Sequence, residues 1–404
     1  MTNKDINLRF LMRIKILVLP CASWHVVCFP FIMNNYQVFK KWYNMRPLFC
    51  LLLLILLPLL ARAEKRKVII DDDSFSLMHL MLLGADDVEV LGIASVTGNS
   101  WSGRIVPYAL RGLELIDRPD IPVVKGATYP LLNTEVQTKL WESLYGRLTW
   151  KGVWMEEWVE PTIQSLPEYY EVDAPVEVIW GNPTIEADPR IAANFLVEMV
   201  RTYPGEISII AGGPLTNLAL AQRLDPEFAS LAKELVYMGA SFNPQQVIDN
   251  QVAADFAGEF ANSPRREFNI RLDPEAASIV SRSPWSQITI IPIDPSTGTQ
   301  LTAELLNRAA NAAPKEMGEV LATWEPGFPL WDEIAAAVWL DPSLIVEKER
   351  LYVDYNTQFG PSYGDTLSWR EHYQPNLGEQ PATVIRKVDR LGLEALLIEK
   401  LANL

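Results

Sequence analysis

Cysteine and histidine are the scarcest chemistry-bearing residues of this 404-residue chain, at three each. Cys21, Cys28 and Cys50 all fall within the first fifty residues, which excludes a disulfide framework over the rest. Beyond residue 63 the histidines are His79 and His372, which excludes a zinc centre built on several His and Cys. Basic charge is also short. The 35 Lys and Arg face 50 Asp and Glu, a formal net charge of −15. A nucleic-acid binder needs the opposite balance to neutralise phosphates. Neutral or weakly charged small molecules and metal cations are the natural ligands that remain. Apolar side chains are plentiful at 49%, enough for a large core and too many for wholesale disorder. The length permits two or three domains, or one large α/β domain.

The longest apolar run, Leu48 to Leu60, is broken by Cys50 and Pro58 and falls short of the roughly 20 residues that cross a bilayer. It follows Arg46 and ends at Ala61-Arg62-Ala63, the pattern of a secretory signal peptide. Met45 stands just before it and is a possible true start. An uncleaved anchor is the alternative reading. The expectation is an N-terminal extension and signal peptide over 1–63. It is followed by a mature domain over 64–404, secreted or periplasmic and not stably membrane-associated. Residues 1–63 carry eight basic and one acidic residue, so the remaining 341 residues have a formal charge of −22.

From Val68 onward strand and helix patterns alternate. Strands are predicted at Lys67–Asp71, Val88–Val96, Ile121–Val124, Ile207–Ala211, Leu235–Met238 and Ile288–Ile293. Helices are predicted at Arg104–Ile116, Ile191–Tyr203, Leu215–Arg223 and Asp273–Ser281. This alternation implies an α/β fold: an open, mainly parallel (mixed) sheet with helices on both faces, Rossmann-like in architecture. Ligands of such sheets sit beyond the carboxyl ends of the strands, so residues just after strands are the site candidates. Two stretches interrupt the pattern. The insert at about 129–190 holds Trp141, Trp150, Trp154 and Trp158, and reads as a packed subdomain or as a lid with an aromatic face. Ser241–Arg266 is polar and reads as a loop near the site.

Asp71, Asp72 and Asp73 close the first strand. Three adjacent carboxylates repel one another unless a cation or hydrogen-bond donors sit among them. They read either as a hard-metal site with oxygen ligands or as a solvated acidic turn. Strand alternation sends the Asp72 side chain to the face opposite Asp71 and Asp73. One enzyme class with Asp-x-Asp here, the haloacid-dehalogenase-like phosphatases, wants Thr or Val where this chain has Phe75.

The other class matches at more points. Val68-Ile-Ile-Asp-Asp-Asp73, Gly92–Asn99, Asp120–Gly126, Pro204 through Gly213-Pro-Leu-Thr-Asn217, Glu267-Phe-Asn269, Pro329-Leu-Trp-Asp332 and Tyr363-Gly-Asp-Thr366 occur in one order. Together they resemble the inosine–uridine-preferring nucleoside hydrolase family from Val68 to about Leu401, in a divergent, exported, fungal-like branch. The resemblance implies a hydrolase that cleaves the N-glycosidic bond of ribonucleosides with one calcium ion and an activated water. Asp73 would be metal ligand and general base. Asp332 and the Thr216 carbonyl would be further ligands, and Asp71 and Asp72 supporting acids. Asn99, Glu267 and Asn269 would hydrogen-bond the ribose. Where the family has two further aspartates this chain has Leu77 and Met78, and Trp331 replaces a histidine and would stack on a base. These departures keep a second reading open, a nucleoside- or ribose-binding protein without turnover. The expected partner is the nucleoside itself, with no nucleic acid, and a homo-oligomer is possible. His79 reads as a core or capping residue or a substitute proton donor, and His372 as surface.

Overall fold

β-Branched and aliphatic runs flanked by turn residues build the sheet of this computed structural model, which describes residues 64–159, 169–242 and 267–404. Lys65–Leu404 pack as one compact unit. Ten strands are described: β1 (Arg66–Asp72), β2 (Val88–Ser95), β3 (Val123–Lys125), β4 (Asp188–Ile191), β5 (Ile207–Ala211), β6 (Glu234–Met238), β7 (Ile288–Ile291), β8 (Ile345–Tyr355), β9 (Thr366–Trp369) and β10 (Pro381–Val388). They lie in the order β4-β3-β2-β1-β5-β6-β7-β10-β8-β9. Pairing is parallel from β4 through to β10, and antiparallel for β10–β8 and β8–β9. The α/β, mainly parallel, mixed sheet expected from the alternation is the one found.

Strand side chains alternate between two cores. Val68 and Ile70 join a cluster with the helices Leu77–Leu83, Ser102–Leu115, Ala303–Ala312 and Asp332–Leu340. Ile69 joins the opposite cluster, with Ala192–Thr202, Thr216–Leu224 and Pro274–Ser281. The chain runs outward from β1 through β2, β3 and β4, then returns to β5 on the other side of β1. That reversal makes the carboxyl end of β1 the topological switch point, where an open α/β sheet leaves a crevice.

Several predicted bounds shift. Ile191, expected to open a helix, ends β4, and the helix begins at Ala192. The predicted strand Ile288–Ile293 stops at Ile291, where Pro292 removes a ladder donor and caps a short helix, Ile293–Ser296. The third strand lies at Val123–Lys125 rather than Ile121–Val124. The described part of the Trp-rich insert packs against the main body. Trp141 is buried and donates to the Gly360 carbonyl at 2.7 Å, and Trp154 clusters with Trp101, Val153 and Phe268. Most of the predicted Ser241–Arg266 loop, and the whole of 1–63 with its signal peptide, lie outside the described residues. Among the described residues no helix is long and apolar enough to cross a membrane.

Candidate active site

The three aspartates leave β1 in three directions. Asp71, wholly buried, points away from the crevice. Its Oδ2 accepts from Asn217 Nδ2 at 2.8 Å. Asn217 also donates to the Ser95 carbonyl at 3.0 Å and accepts from the Ala127 amide at 2.8 Å, so one side chain ties together the ends of β1, β2 and β3. Burial pushes the Asp71 carboxyl up to about 7, against the pull of the Asn217 bond.

Asp72 is the last residue of β1, and beyond it strand alternation no longer governs. Its Oδ1 accepts the Asp73 amide at 2.8 Å, and its Oδ2 accepts the Ser74 and Ser76 hydroxyls, each at 3.3 Å. A Cβ built on Gly212, at the end of β5, would stand 2.6 Å from Asp72 Oδ1 and 3.0 Å from the carboxyl carbon of Asp332. The two carboxylates therefore flank one glycine, which only a residue without a side chain permits. The alternation argument set Asp72 apart; the structure places it beside Asp332.

Asp73 follows the strand and turns toward the loop after β2. Its Oδ2 accepts the Asn99 amide at 2.7 Å and its Oδ1 accepts Asn99 Nδ2 at 3.0 Å. Burial raises its proton affinity, to about 7, and the Asn99 donors oppose that. Asp332 opens the helix Asp332–Leu340. Burial and the charges of Asp72, Glu333, Asp73 and Glu267 hold it well above the usual carboxylate range. Burial and the Asp73 charge do the same to Asp72. His79 Nδ1 lies 3.5 Å from Asp72 Oδ2, but its ring is neutral and offers these acids no charge.

A concentration of carboxylates with raised proton affinities takes up either protons or a cation, and its all-oxygen donors suit a hard cation such as calcium. Among the described residues no three His, Cys, Asp or Glu side chains draw together as a metal-binding group. Leu77 and Met78, at the two positions where aspartates were expected, are fully buried in the core and supply no oxygen.

The remaining predicted site residues are placed by contacts within the protein. Glu267 is buried, and caps the helix Phe268–Leu272 by accepting the amides of Asn269 at 2.9 Å and Ile270 at 3.2 Å, together with Ala240 at 3.1 Å. Asn269 Nδ2 donates to the Gly212 carbonyl at 2.6 Å and the Met238 carbonyl at 3.2 Å, joining the ends of β5 and β6. Thr216 opens the helix Thr216–Leu224, and its hydroxyl donates to Asp273 at 2.7 Å. Trp331 precedes Asp332 and its ring lies 6.3 Å from that of Phe328. His79 is fully buried, accepts the Ser76 amide at 3.2 Å and is pushed down to about 3, so it is a neutral cap and not an acid. His372 is exposed. Among the predicted residues, Asn99 is the one that hydrogen-bonds the Asp73 carboxylate. Sequence reasoning missed Trp150, whose Nε1 donates to Asn99 Oδ1 at 2.8 Å. It also missed the structural weight of Asn217.

Fold and site together define an α/β protein with a buried cluster of carboxylates at the switch point of its sheet. The chain belongs to the inosine-uridine preferring nucleoside hydrolase family, whose model matches residues 68–394. It is 30% identical over 319 residues to an uncharacterized protein of Schizosaccharomyces pombe, covering 75% of this chain and 76% of that one. It is 30% identical over 351 residues to uridine nucleosidase 1 of Arabidopsis thaliana, covering 82% and 91%. A solved plant nucleoside hydrolase superposes with a TM-score of 0.60 at 24% identity, covering 83% of this chain and 99% of that one, a likeness of fold.

Proposed function

We propose that this protein hydrolyses the N-glycosidic bond of ribonucleosides, with Asp73 as the base that takes a proton from water. The observation that carries this reading is the placement of Asp73. It is a buried carboxylate at the switch point, held by two Asn99 donors beside Asp72 and Asp332. The water oxygen attacks the anomeric carbon as its proton passes to Asp73. The bond to the base breaks, and its electron pair leaves with the base, which takes up a proton. Ribose and free base are the products. The developing positive charge on the sugar is stabilised by the surrounding carboxylates.

Asp73, Asp332 and the Thr216 carbonyl would hold a calcium ion, and Asp72, brought beside Asp332, adds a carboxylate where Leu77 and Met78 provide none. Such an ion, when bound, orients the ribose hydroxyls and makes a neighbouring water more acidic. Export through an N-terminal signal peptide ending near Ala63 belongs to the same proposal. The kinship to a uridine nucleosidase supports a nucleoside as substrate.

The test is reducing-sugar release from matched ribonucleosides and 2′-deoxyribonucleosides, with calcium and with chelator. Release confined to ribonucleosides and dependent on calcium is expected. Equal rates on both sugar series contradict the hydroxyl–metal reading. Nucleoside binding without release, at any calcium concentration, points to the binding protein that the apolar Leu77 and Met78 suggest.

A further inference from the structure

The acids alone do not account for where the Trp-rich insert is fastened. Its turn Gly152–Trp154 is bonded to the loop that carries Asn99: the Val153 amide donates to the Gly98 carbonyl at 3.0 Å. Gly152 has φ +55°, and a Cβ there would stand 2.2 Å from the Gly98 oxygen, so the approach needs glycine twice over. Two residues earlier, the Trp150 indole stacks on Trp158 with centroids 5.3 Å apart and meets the edge of Phe268 at 6.3 Å. The Arg271 guanidinium donates to the Trp150 carbonyl. The indole N–H, thus held, donates to Asn99 Oδ1 at 2.8 Å, and Asn99 Nδ2 donates on to Asp73 Oδ1 at 3.0 Å.

The two ends of an asparagine amide have nearly the same shape, and partners alone decide which way it points. An indole N–H donates and cannot accept. Turning the Asn99 amide over would set N–H against N–H at Trp150 and oxygen against carboxylate at Asp73. We propose that Trp150, from the insert, is a positioning residue for the reaction, fixing the polarity of the Asn99 amide and through it the carboxylate of Asp73. This rests on the reading of Asp73 as the base, and extends it from the sheet to the insert: the site is complete only when the insert is docked.

Two readouts test it, one of them independent of turnover. Trp150→Phe keeps a ring to stack and removes the donor. It should lower kcat on a ribonucleoside about tenfold, the scale of one lost hydrogen bond, with KM within about twofold. In the Asn99→Ala background the same change should have no further effect on kcat. Additive losses, or a raised KM with kcat intact, overturn the proposal in favour of packing or direct stacking on substrate. If Trp150→Phe loses the native thermal transition, 3-benzothienylalanine at position 150 supplies the same shape without the N–H. Independently, the Trp150 indole N–H resonance, identified by its loss in Trp150→Phe, should move in Asn99→Ala and in Asp73→Asn. An unmoved resonance overturns the relay even in a protein that turns nothing over. A moved resonance in a protein that releases no ribose upholds the relay while refuting the hydrolase reading.

Discussion

Replacing Asn217 with alanine removes one side chain and breaks three hydrogen bonds, two of them buried and one part-buried. The Ser95 carbonyl and the Ala127 amide each lose a partner. Asp71 loses the only donor to its Oδ2, and its Oδ1 already has none. The Ala127 amide left without its acceptor, together with the loss at the Ser95 carbonyl, which keeps the Ser102 hydroxyl at 3.4 Å, costs roughly 2–3 kcal/mol, and a bond to an ionised carboxylate adds roughly 1.5–3 kcal/mol. The second part depends on pH. Asp71 is raised from 3.8 to about 7 in the folded protein. A carboxyl raised in this way contributes stability fully below its unfolded value and loses it as pH rises through about 7. The Asn217 bond favours the ionised form, so its removal hurts most where Asp71 is charged. At about 2–4 °C per kcal/mol, Asn217→Ala should lower the melting midpoint by roughly 5 °C at pH 5 and roughly 10 °C at pH 8. Paired thermal scans of variant and parent at the two pH values make the assay. A shift below about 2 °C at both, or a larger shift at pH 5, refutes the reasoning.

Gly212→Ala drives a methyl group to within 2.6 Å of Asp72 Oδ1 and 3.0 Å of the Asp332 carboxyl carbon. Initial rates on a ribonucleoside should fall at least about tenfold, and an unchanged rate would remove these acids from the reacting centre. Asp71, Asp73 and Glu333 are each raised to about 7, so the chelated protein should melt lower at pH 8 than at pH 5. Millimolar calcium should recover part of that loss at pH 8 and little at pH 5, where the same carboxyls hold protons. Equal calcium effects at both would speak against a cation among them. Both Glu267 oxygens accept amides, so Glu267→Gln keeps one acceptor and turns an NH2 against the amide or amides the other oxygen served; its melting midpoint should fall, but by less than that of Glu267→Ala, in which all three amides are uncapped.

The inner parallel strands β1, β2, β3, β5, β6 and β7 were legible because each is a short, mostly buried run of β-branched or aliphatic residues closed by a turn, as in Val68-Ile-Ile before the aspartates, whereas the edge strand β4, Asp-Pro-Arg-Ile, is half exposed and carries no such signal. The antiparallel end was not legible either. β8 is half exposed along Ile345–Glu349 and pairs with β10, thirty residues away, so neither run length nor alternation marks it. The helix Leu77–Leu83 is buried on every side, which is why its sequence carries no amphipathic signal and why Leu77 and Met78 read only as missing acids. Asp73 was found because it follows a buried strand. Alternation held for Asp72, the last residue of β1, which leaves the strand on the face opposite Asp71; what alternation does not carry is that Asp332 stands on that face. The amides of Asn99 and Asn269, which the resemblance assigns to the ribose, are also bonded inside the protein by groups far away in sequence, and no local pattern shows those partners. Glu267 has the composition of a surface acid, and only the three amides converging on it explain its burial. No spacing rule connects Trp150 to Asn99 across fifty residues.

One progress curve tests the central claim most directly: free base and reducing sugar followed together from a ribonucleoside with purified protein in millimolar calcium, beside Asp73→Ala. The account predicts base and sugar rising in equal amounts with the parent protein and neither rising with the variant, although both melt cooperatively. Equal release by the variant, or no release by a well-folded parent that binds the nucleoside, would contradict it.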